Sequence, residues 1–567
     1  MCGIYASISR RDGLSPSRAL QSQLVTRGPD HLGSVRVPVK VGGDSQASEL
    51  FLTFLATVLS LRGNGITQQP LVSEVSGAVL CWNGEAWTLG GNTISGNDGA
   101  AILSTLDLAS GKGAVLDVLR SINGPFAFIY YDPRDGGCIY FGRDRLGRRS
   151  LLVHEEGDFT LSSVADPGLS GWAEVEADGV YAIDVASLGD VHSRPITMLA
   201  AKRHGWLSED LGEYMSNIGI FNIALPPEDA RPLCTGSRPV HALREHLVQS
   251  LSLRVLNVPE PPKVHAVSEE GVDTRIAVLF SGGLDCTVLA RLASELLPPN
   301  QGIDLINVAF ENPRISARLH PSEDKSAIYE ACPDRITGRK SFKELHDCCP
   351  DRQWRFIAVN VPYSETQSHR REVVSLMHPH NTEMDLSIAY ALYFAARGAG
   401  IGQTDPETPC TAQNVSTPAR VLLSGLGADE LFGGYVRHGT AFARRGYHGL
   451  LEELKLDVGR LGKRNLGRDD RVMSHWSREI RFPYLDEQLV KWAIETPVWE
   501  KCDFASPRMA GVDVEAEKRV LRLLASQLGM KKVAEEKKRA YLQIQFGSRT
   551  AKMESGKIKG THVISGS

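Results

Sequence analysis

The sequence predicts a two-part α/β protein: a β-rich first half joined to a second half in which helices cover a parallel sheet. Three observations predict it. Residues 127–131 and 138–141 are strand-like runs flanking the turn Asp132-Pro133-Arg134-Asp135-Gly136-Gly137, a hairpin pattern. From residue 241 onward, short apolar runs at 276–280, 303–310, 356–361 and 421–423 alternate with helical periodicity, beginning at His241-Ala242-Leu243-Arg244-Glu245-His246-Leu247. Between the halves strand signals fade and Pro226, Pro227, Pro232 and Pro239 accumulate, which places the connection at 206–240 and the two domains at 2–205 and 241–567.

Size and composition agree with this division. A chain of 567 residues is too long for one core. With 42% hydrophobic and 23% charged residues it reads as an ordinary globular protein, and a net charge of −4 gives no bias toward nucleic acid or a membrane surface. No apolar run approaches the ~20 residues that a membrane-spanning helix requires. Ten cysteines are scattered without framework spacing and no charged-then-apolar leader precedes Cys2, so a reducing, cytoplasmic compartment is expected. Cys348-Cys349 near His346 lacks the spacing of a zinc clip. Segments 312–335 and 402–418, rich in polar and turn residues, are expected as surface excursions.

The first element, Met1-Cys2-Gly3-Ile4-Tyr5-Ala6, carries chemistry. Removal of Met1 would leave a thiol and a free α-amine on one carbon. The amine titrates near ~7.7–8.0 and the thiol near ~8.5, so the amine can take the thiol proton as attack begins. By itself Cys2 is equally well a buried thiol in an N-terminal strand. Arg27-Gly28-Pro29-Asp30, Leu61-Arg62-Gly63, Trp82-Asn83-Gly84-Glu85 and Asn97-Asp98-Gly99 follow in order. They supply what a thiol attacking glutamine needs: Arg62 for an α-carboxylate, Glu85 and Asp98 for an α-ammonium, and Asn83 with the Gly84 N–H for an oxyanion. These motifs, with Asn123-Gly124-Pro125-Phe126 and Gly142-Arg143-Asp144-Arg145-Leu146-Gly147-Arg148-Arg149, resemble the class II glutamine amidotransferase domain. The resemblance implies an N-terminal-nucleophile αββα sandwich with Cys2, Asn83 and Gly84 as catalytic residues.

In the second half, the run 276–280 leads into Ser281-Gly282-Gly283-Leu284-Asp285-Cys286 and then a helix. A glycine pair at a helix N-terminus admits an anionic group, pyrophosphate above all, although such a turn is also common connective structure. Further on, Ser424-Gly425-Leu426-Gly427-Ala428-Asp429-Glu430-Leu431-Phe432-Gly433-Gly434-Tyr435 again joins a strand, a glycine turn and paired carboxylates. The two segments resemble the PP-loop of ATP pyrophosphatases and the matching turn of asparagine synthetases, as do stretches 464–472, 481–486 and 546–554. The resemblance implies a PP-loop parallel α/β domain, hence α/β and α+β architecture in one chain. It implies ATP contacts at Leu279, Ser281, Gly282, Gly283, Asp285, Val308, Ser424, Gly425 and Asp429, and Mg²⁺ at Asp285 and Asp429. Lys538 or Arg539 would help neutralise the phosphates.

The activity this implies is glutamine hydrolysis at Cys2, with ammonia passing to a carboxylate acceptor, aspartate by resemblance, activated by ATP. A homodimer is compatible with the resemblance. Three departures keep a second reading open. Leu426 stands where the asparagine synthetases carry a catalytic glutamate, 381–387 lacks their arginine, and Cys286 replaces a serine. Leucine can neither move a proton nor stabilise charge. The alternative is therefore a pseudo-synthetase with glutaminase activity only, or a nucleotide-binding regulatory protein.

Overall fold

A computed structural model describes residues 2–12, 15–41, 48–63, 65–190, 196–207, 214–215, 218–260, 273–318, 326–408, 413–463, 465–505, 514–537 and 562–564. These fall into two compact units. The first comprises Met1–Gly212 with Ser375–His380 and Leu461–Arg478; the second comprises Glu213–Val374, Asn381–Arg460 and Glu479–Ser567.

The first unit contains two six-stranded antiparallel sheets. One runs Ala173–Glu174, Leu152–His154, Phe159–Ser162, Gly3–Ser9, Ser48–Val58, His31–Val41; the other runs Lys202–Gly205, Gly179–Asp184, Cys138–Arg143, Phe126–Asp132, Val79–Gly84, Leu71–Val72. Alternation along the strands sends Ile4, Leu52 and Phe54 from the first sheet against Cys81, Ile129, Phe141 and Ile183 from the second, forming one shared core. Each such side chain contributes roughly 1.5–3 kcal/mol on burial, so this core outweighs any single polar contact. The opposite face of the second sheet carries Leu80, Trp82, Phe128 and Tyr130, covered by helices Asp98–Leu108 and Gly111–Arg120 through Ile102, Leu106 and Leu119. Helix Arg18–Arg27, capped by the Ser17 hydroxyl accepting from the Leu20 N–H, lays Leu20 and Leu24 on Tyr5 and Leu55 of the first sheet. The layers are helix, sheet, sheet, helix, as the first-half motifs imply. The expected hairpin pairs Phe126–Asp132 with Cys138–Arg143, and Asp135, Gly136 and Gly137 all take positive φ in its turn.

The second unit holds a seven-stranded sheet in the order Gln413–Ser416, Ala399–Gln403, Trp354–Val361, Gln301–Phe310, Asp273–Leu279, Val421–Leu423, Glu479–Arg481. The last five are mutually parallel and the first two are antiparallel edge strands. All four expected strands are present, and three begin earlier than their apolar runs. At one of these starts, Trp354-Arg355, the added charge is paired inside the sheet. Asp304 and Arg355 stand opposite each other on neighbouring strands, joined at 2.7 Å and 2.9 Å, so polar residues enter the ladder already neutralised.

The segments expected as surface excursions depart from that reading in part. Pro333 opens helix Pro333–Cys348, and Arg335 is fully buried, donating to Asn307 and Asn360. Residues 399–403 and 413–416 form the antiparallel edge of the sheet. Among the described residues no helix is long and apolar enough to cross a membrane, and no disulfide joins any of the nine described cysteines.

Candidate active sites

In the first unit, Cys2 precedes strand Gly3–Ser9 and is 8% exposed. Gly3 follows it because the backbone is pressed closely there: a Cβ would lie 2.7 Å from Thr57 Oγ1 and 2.9 Å from the Leu24 carbonyl. The Thr57 hydroxyl accepts from the Gly3 N–H and donates to Leu24, locking the start of the strand. The Gln69 amide points its Nε2 at Cys2 Sγ across 3.7 Å while its Oε1 accepts from the Trp82 N–H. Cys2 is thus tied to strand Val79–Gly84, whose end carries Asn83 and Gly84. Asn83 is fully buried, and neither its Oδ1 nor its Nδ2 has a hydrogen-bond partner among the described protein groups. A buried amide left unpaired costs about 1–3 kcal/mol, which a ligand oxygen would recover.

Gly84 must also be glycine, since a Cβ there would lie 2.5 Å from the Pro125 carbonyl. Asp98 opens helix Asp98–Leu108 and accepts from the Trp82 indole N–H at 2.9 Å and the Ala86 N–H at 2.8 Å. Burial pushes its carboxyl above the usual range, partly offset by Arg62 and these donors. Arg62 Nη1 lies 3.6 Å from Glu85 and 3.9 Å from Asp98. The Ala86 and Ile94 carbonyls accept from its two Nη groups, and the guanidinium stands over the Trp87 ring at 5.8 Å, so its plane is fixed. Arg62, Glu85 and Asp98 therefore share one neighbourhood beside the Asn83 strand.

The remaining first-half motifs prop this site. Asp144 accepts from the N–H groups of Phe126, Leu146 and Arg148 and from Arg148 Nε. Arg148 Nη2 in turn donates to the Gly124 carbonyl at 2.7 Å. Gly124 has φ +136°, and a Cβ there would lie 2.1 Å from the Glu85 carbonyl. Arg27 is fully buried: it donates to the Cys2 carbonyl at 3.2 Å, to the Ser474 hydroxyl and to Asp470 at 2.9 Å. Ser474 and Asp470 lie on helix Leu466–Ser474, a late segment that packs within this unit. On the same helix Arg471 meets Glu174. Burial pushes the Glu174 carboxyl up, but Arg143 and Arg471 prevail and hold it at about 2.

In the second unit, strand Asp273–Leu279 leads through Phe280 into the glycine turn and helix Leu284–Leu296. Gly282 has φ +80°, and a Cβ would lie 2.4 Å from the Gly338 nitrogen, so only glycine fits. Its carbonyl accepts from Ser341 at 2.6 Å, and Asn307 Nδ2 donates to the Phe280 carbonyl, fixing the turn from below. Ser281 Oγ accepts from the Gly283 N–H and lies 3.7 Å from Cys286 Sγ. That thiol donates to the Gly283 carbonyl at 3.3 Å, and burial raises its pKa. Leu279 and Val308 sit toward the C-terminal ends of adjacent parallel strands, both buried.

Gly425 lies against the PP-loop, where a Cβ would be 2.9 Å from Asp285 Cβ; Ser424 Oγ accepts from the Leu426 N–H, and Leu426 is half-buried. Asp429 is buried at the start of helix Ala428–Phe432. Asp285 and Asp429 converge on one cation, the Lys518 ammonium, at 2.6 Å and 2.7 Å. The carboxylates in turn raise the Lys518 pKa against the opposing effect of burial. Two hard oxygen donors that already gather a cation fit Mg²⁺, which takes one or two carboxylates and completes its shell with phosphate oxygens and water. Among the described residues no group of three or more His, Cys, Asp and Glu side chains converges, so phosphate oxygens would have to supply the rest.

Sequence reasoning missed Gln69 and Lys518. Neither lies in a motif, and only the fold brings them to Cys2 and to the acidic pair. Lys538, Arg539 and segment 546–554 lie outside the described residues. At 381–387, Thr382 caps helix Glu383–Arg397, and Glu383 pairs with Arg370 from a preceding helix at 3.4 Å.

Two family models match: a glutamine amidotransferase domain over residues 1–178 and asparagine synthase over residues 442–556. The fold and the models together define an α/β protein that combines a glutamine amidotransferase domain with an asparagine synthase domain. Asparagine synthetase domain-containing protein 1 from Mus musculus is 33% identical, across 99% of this chain and 98% of that one. The protein of the same name from Bos taurus is 34% identical, across 99% and 97%. The root asparagine synthetase [glutamine-hydrolyzing] of Pisum sativum is more distant, at 22% across 87% and 70%. The chain belongs to the asparagine synthetase domain-containing protein 1 family.

Proposed function

We propose that this chain is a glutamine-dependent amidotransferase of the asparagine synthetase type. The observation that carries the reading is the buried Asn83 amide, without a hydrogen-bond partner among the described residues, on the strand that Gln69 ties to the Cys2 thiol. After removal of Met1, the Cys2 α-amine takes the thiol proton as Sγ attacks the glutamine side-chain carbonyl. The C–S bond forms, and the oxygen gains charge beside Asn83 Nδ2 and the Gly84 N–H. The amine returns the proton to the leaving nitrogen, ammonia departs, and water hydrolyses the thioester to glutamate. Arg62 holds the α-carboxylate while Glu85 and Asp98 hold the α-ammonium.

In the second unit, Ser281–Asp285 with Ser424, Gly425 and Asp429 would bind ATP, and Asp285 and Asp429 would hold Mg²⁺, which supplies charge neutralisation of the phosphates when bound. Leu279 and Val308 would flank the adenosine. The acceptor is a carboxylate, aspartate by family likeness. A cytoplasmic setting is part of this reading.

Leu426 favours a second reading, a glutaminase or nucleotide-binding protein without synthetase chemistry, because a half-buried leucine occupies the glutamate position of the turn. One experiment separates them. Purified protein, shown by mass spectrometry to lack Met1, is assayed together for glutamate, pyrophosphate and asparagine. ATP-dependent pyrophosphate and asparagine support the full reading. Glutamate alone supports the second, and no glutamate removes both glutaminase readings.

A further inference from the structure

Lys518 is held in a costly way. It takes φ 54°, a left-handed conformation that a non-glycine residue adopts only when its surroundings demand it. Its N–H donates to the Phe432 carbonyl at 3.0 Å, and helix Arg519–Gln527 follows directly. The side chain is 6% exposed, and Nζ donates to both Asp285 oxygens, at 2.8 Å and 2.6 Å. The third contact is Asp429 Oδ1 at 2.7 Å. Gly434 makes room for this arrangement: a Cβ there would lie 2.0 Å from both Lys518 Cε and Asp429 Oδ1.

These oxygens are the ones assigned to the metal. A Mg²⁺ ion would sit about 2.0–2.1 Å from its ligands, so an ammonium on the same oxygens would be crowded against a like-charged dication. The repulsion is relieved only when phosphate oxygens arrive, because they give both cations additional anionic partners.

Resting on the reading of this unit as an ATP site, we propose that Lys518 is the resident counter-ion of the Asp285–Asp429 pair. It excludes a divalent cation from the nucleotide-free protein and admits one only together with a polyphosphate. Lys518 is in these terms a positioning residue: it keeps the buried Asp429 and the partly buried Asp285 converged while the site is empty of nucleotide, then turns to the phosphates.

The test is nucleotide-free Mn²⁺ titration of the full chain, followed by electron paramagnetic resonance. Wild type and K518R are expected to bind weakly, and K518M at least about tenfold more tightly, since its two carboxylates have lost their cation. With a non-hydrolysable ATP analogue the order reverses, K518M binding the Mn²⁺ complex about tenfold less tightly than wild type. K518M that binds Mn²⁺ alone no more tightly than wild type overturns the proposal. If wild type fails to bind the analogue while K518M still gains Mn²⁺, the ATP reading fails and the counter-ion role stands. Should K518M not fold, ¹³Cε-lysine resonances of wild type, assigned through K518R, give the answer. The Lys518 signal is expected to ignore millimolar Mg²⁺ alone and to shift with Mg²⁺ plus analogue. A shift with Mg²⁺ alone, or none with a bound complex, overturns it.

Discussion

The Cys2 neighbourhood keeps a fully buried amide, Asn83, with no hydrogen-bond partner among the described residues, whereas the acidic pair of the second unit is already met by a buried lysine. The first arrangement leaves hydrogen-bonding capacity unspent for an incoming oxygen. The second already holds a cation between its two carboxylates before any ligand arrives. Strong local signals accompany the first kind of site, because strand ends and tight glycines must be placed one by one. The second depends on a residue more than two hundred positions away from Asp285, and no local pattern announces it.

The contrast breaks most decisively at Cys2. Cys2→Ala is expected to lower glutamine hydrolysis by about 10⁴-fold or more, measured as glutamate release, with ATP-analogue binding unchanged. Asn83→Ala sharpens the point: kcat should fall by about 10²–10³ with little change in KM, because the lost donor acts on charge that develops only during reaction. Equal losses in KM would instead make Asn83 a ground-state binding group.

Glu174 tests whether the first unit tolerates an unbalanced buried charge. Glu174→Gln leaves Arg143 and Arg471 facing a neutral amide and should destabilise by roughly 2–4 kcal/mol in denaturant titration at neutral pH. The Glu174 pKa of about 2 lies below the usual value of ~4.3. Its contribution is therefore full above ~4.3 and is lost as pH falls toward 2, so the gap between wild type and variant should close across that window. The smallest effect concerns the second unit. Leu426→Glu is expected to raise aspartate-dependent pyrophosphate release by about tenfold, below the ~10²–10⁴ typical of a general acid or base, because the other departures at 286 and 381–387 persist.

Much of this molecule was legible in its residues. The hairpin around 132–137, the four parallel strands and both glycine turns follow from period, turn chemistry and motif. What escaped had specific physical causes. Arg355 disguised the start of one strand, its charge neutralised by Asp304 across the sheet, and buried Arg335 made an apparent loop part of a packed helix. Gln69 reached Cys2 through tertiary approach alone. Asn465–Val472 read as companion to the nucleotide motifs, yet its helix supplies Asp470 to Arg27, a pairing that periodicity cannot reveal.

That pairing bears on how the protein can be taken apart. A fragment ending near residue 212 would retain the nucleophile, the oxyanion donors and every strand of the sandwich. It would also strand two guanidinium groups, Arg27 and Arg149, in a dry interior without the carboxylate that now lies 2.9 Å and 3.8 Å from them. Truncation there should give an insoluble or loosely packed glutaminase, and adding residues 461–478 back as a separate peptide is the simplest route to rescue.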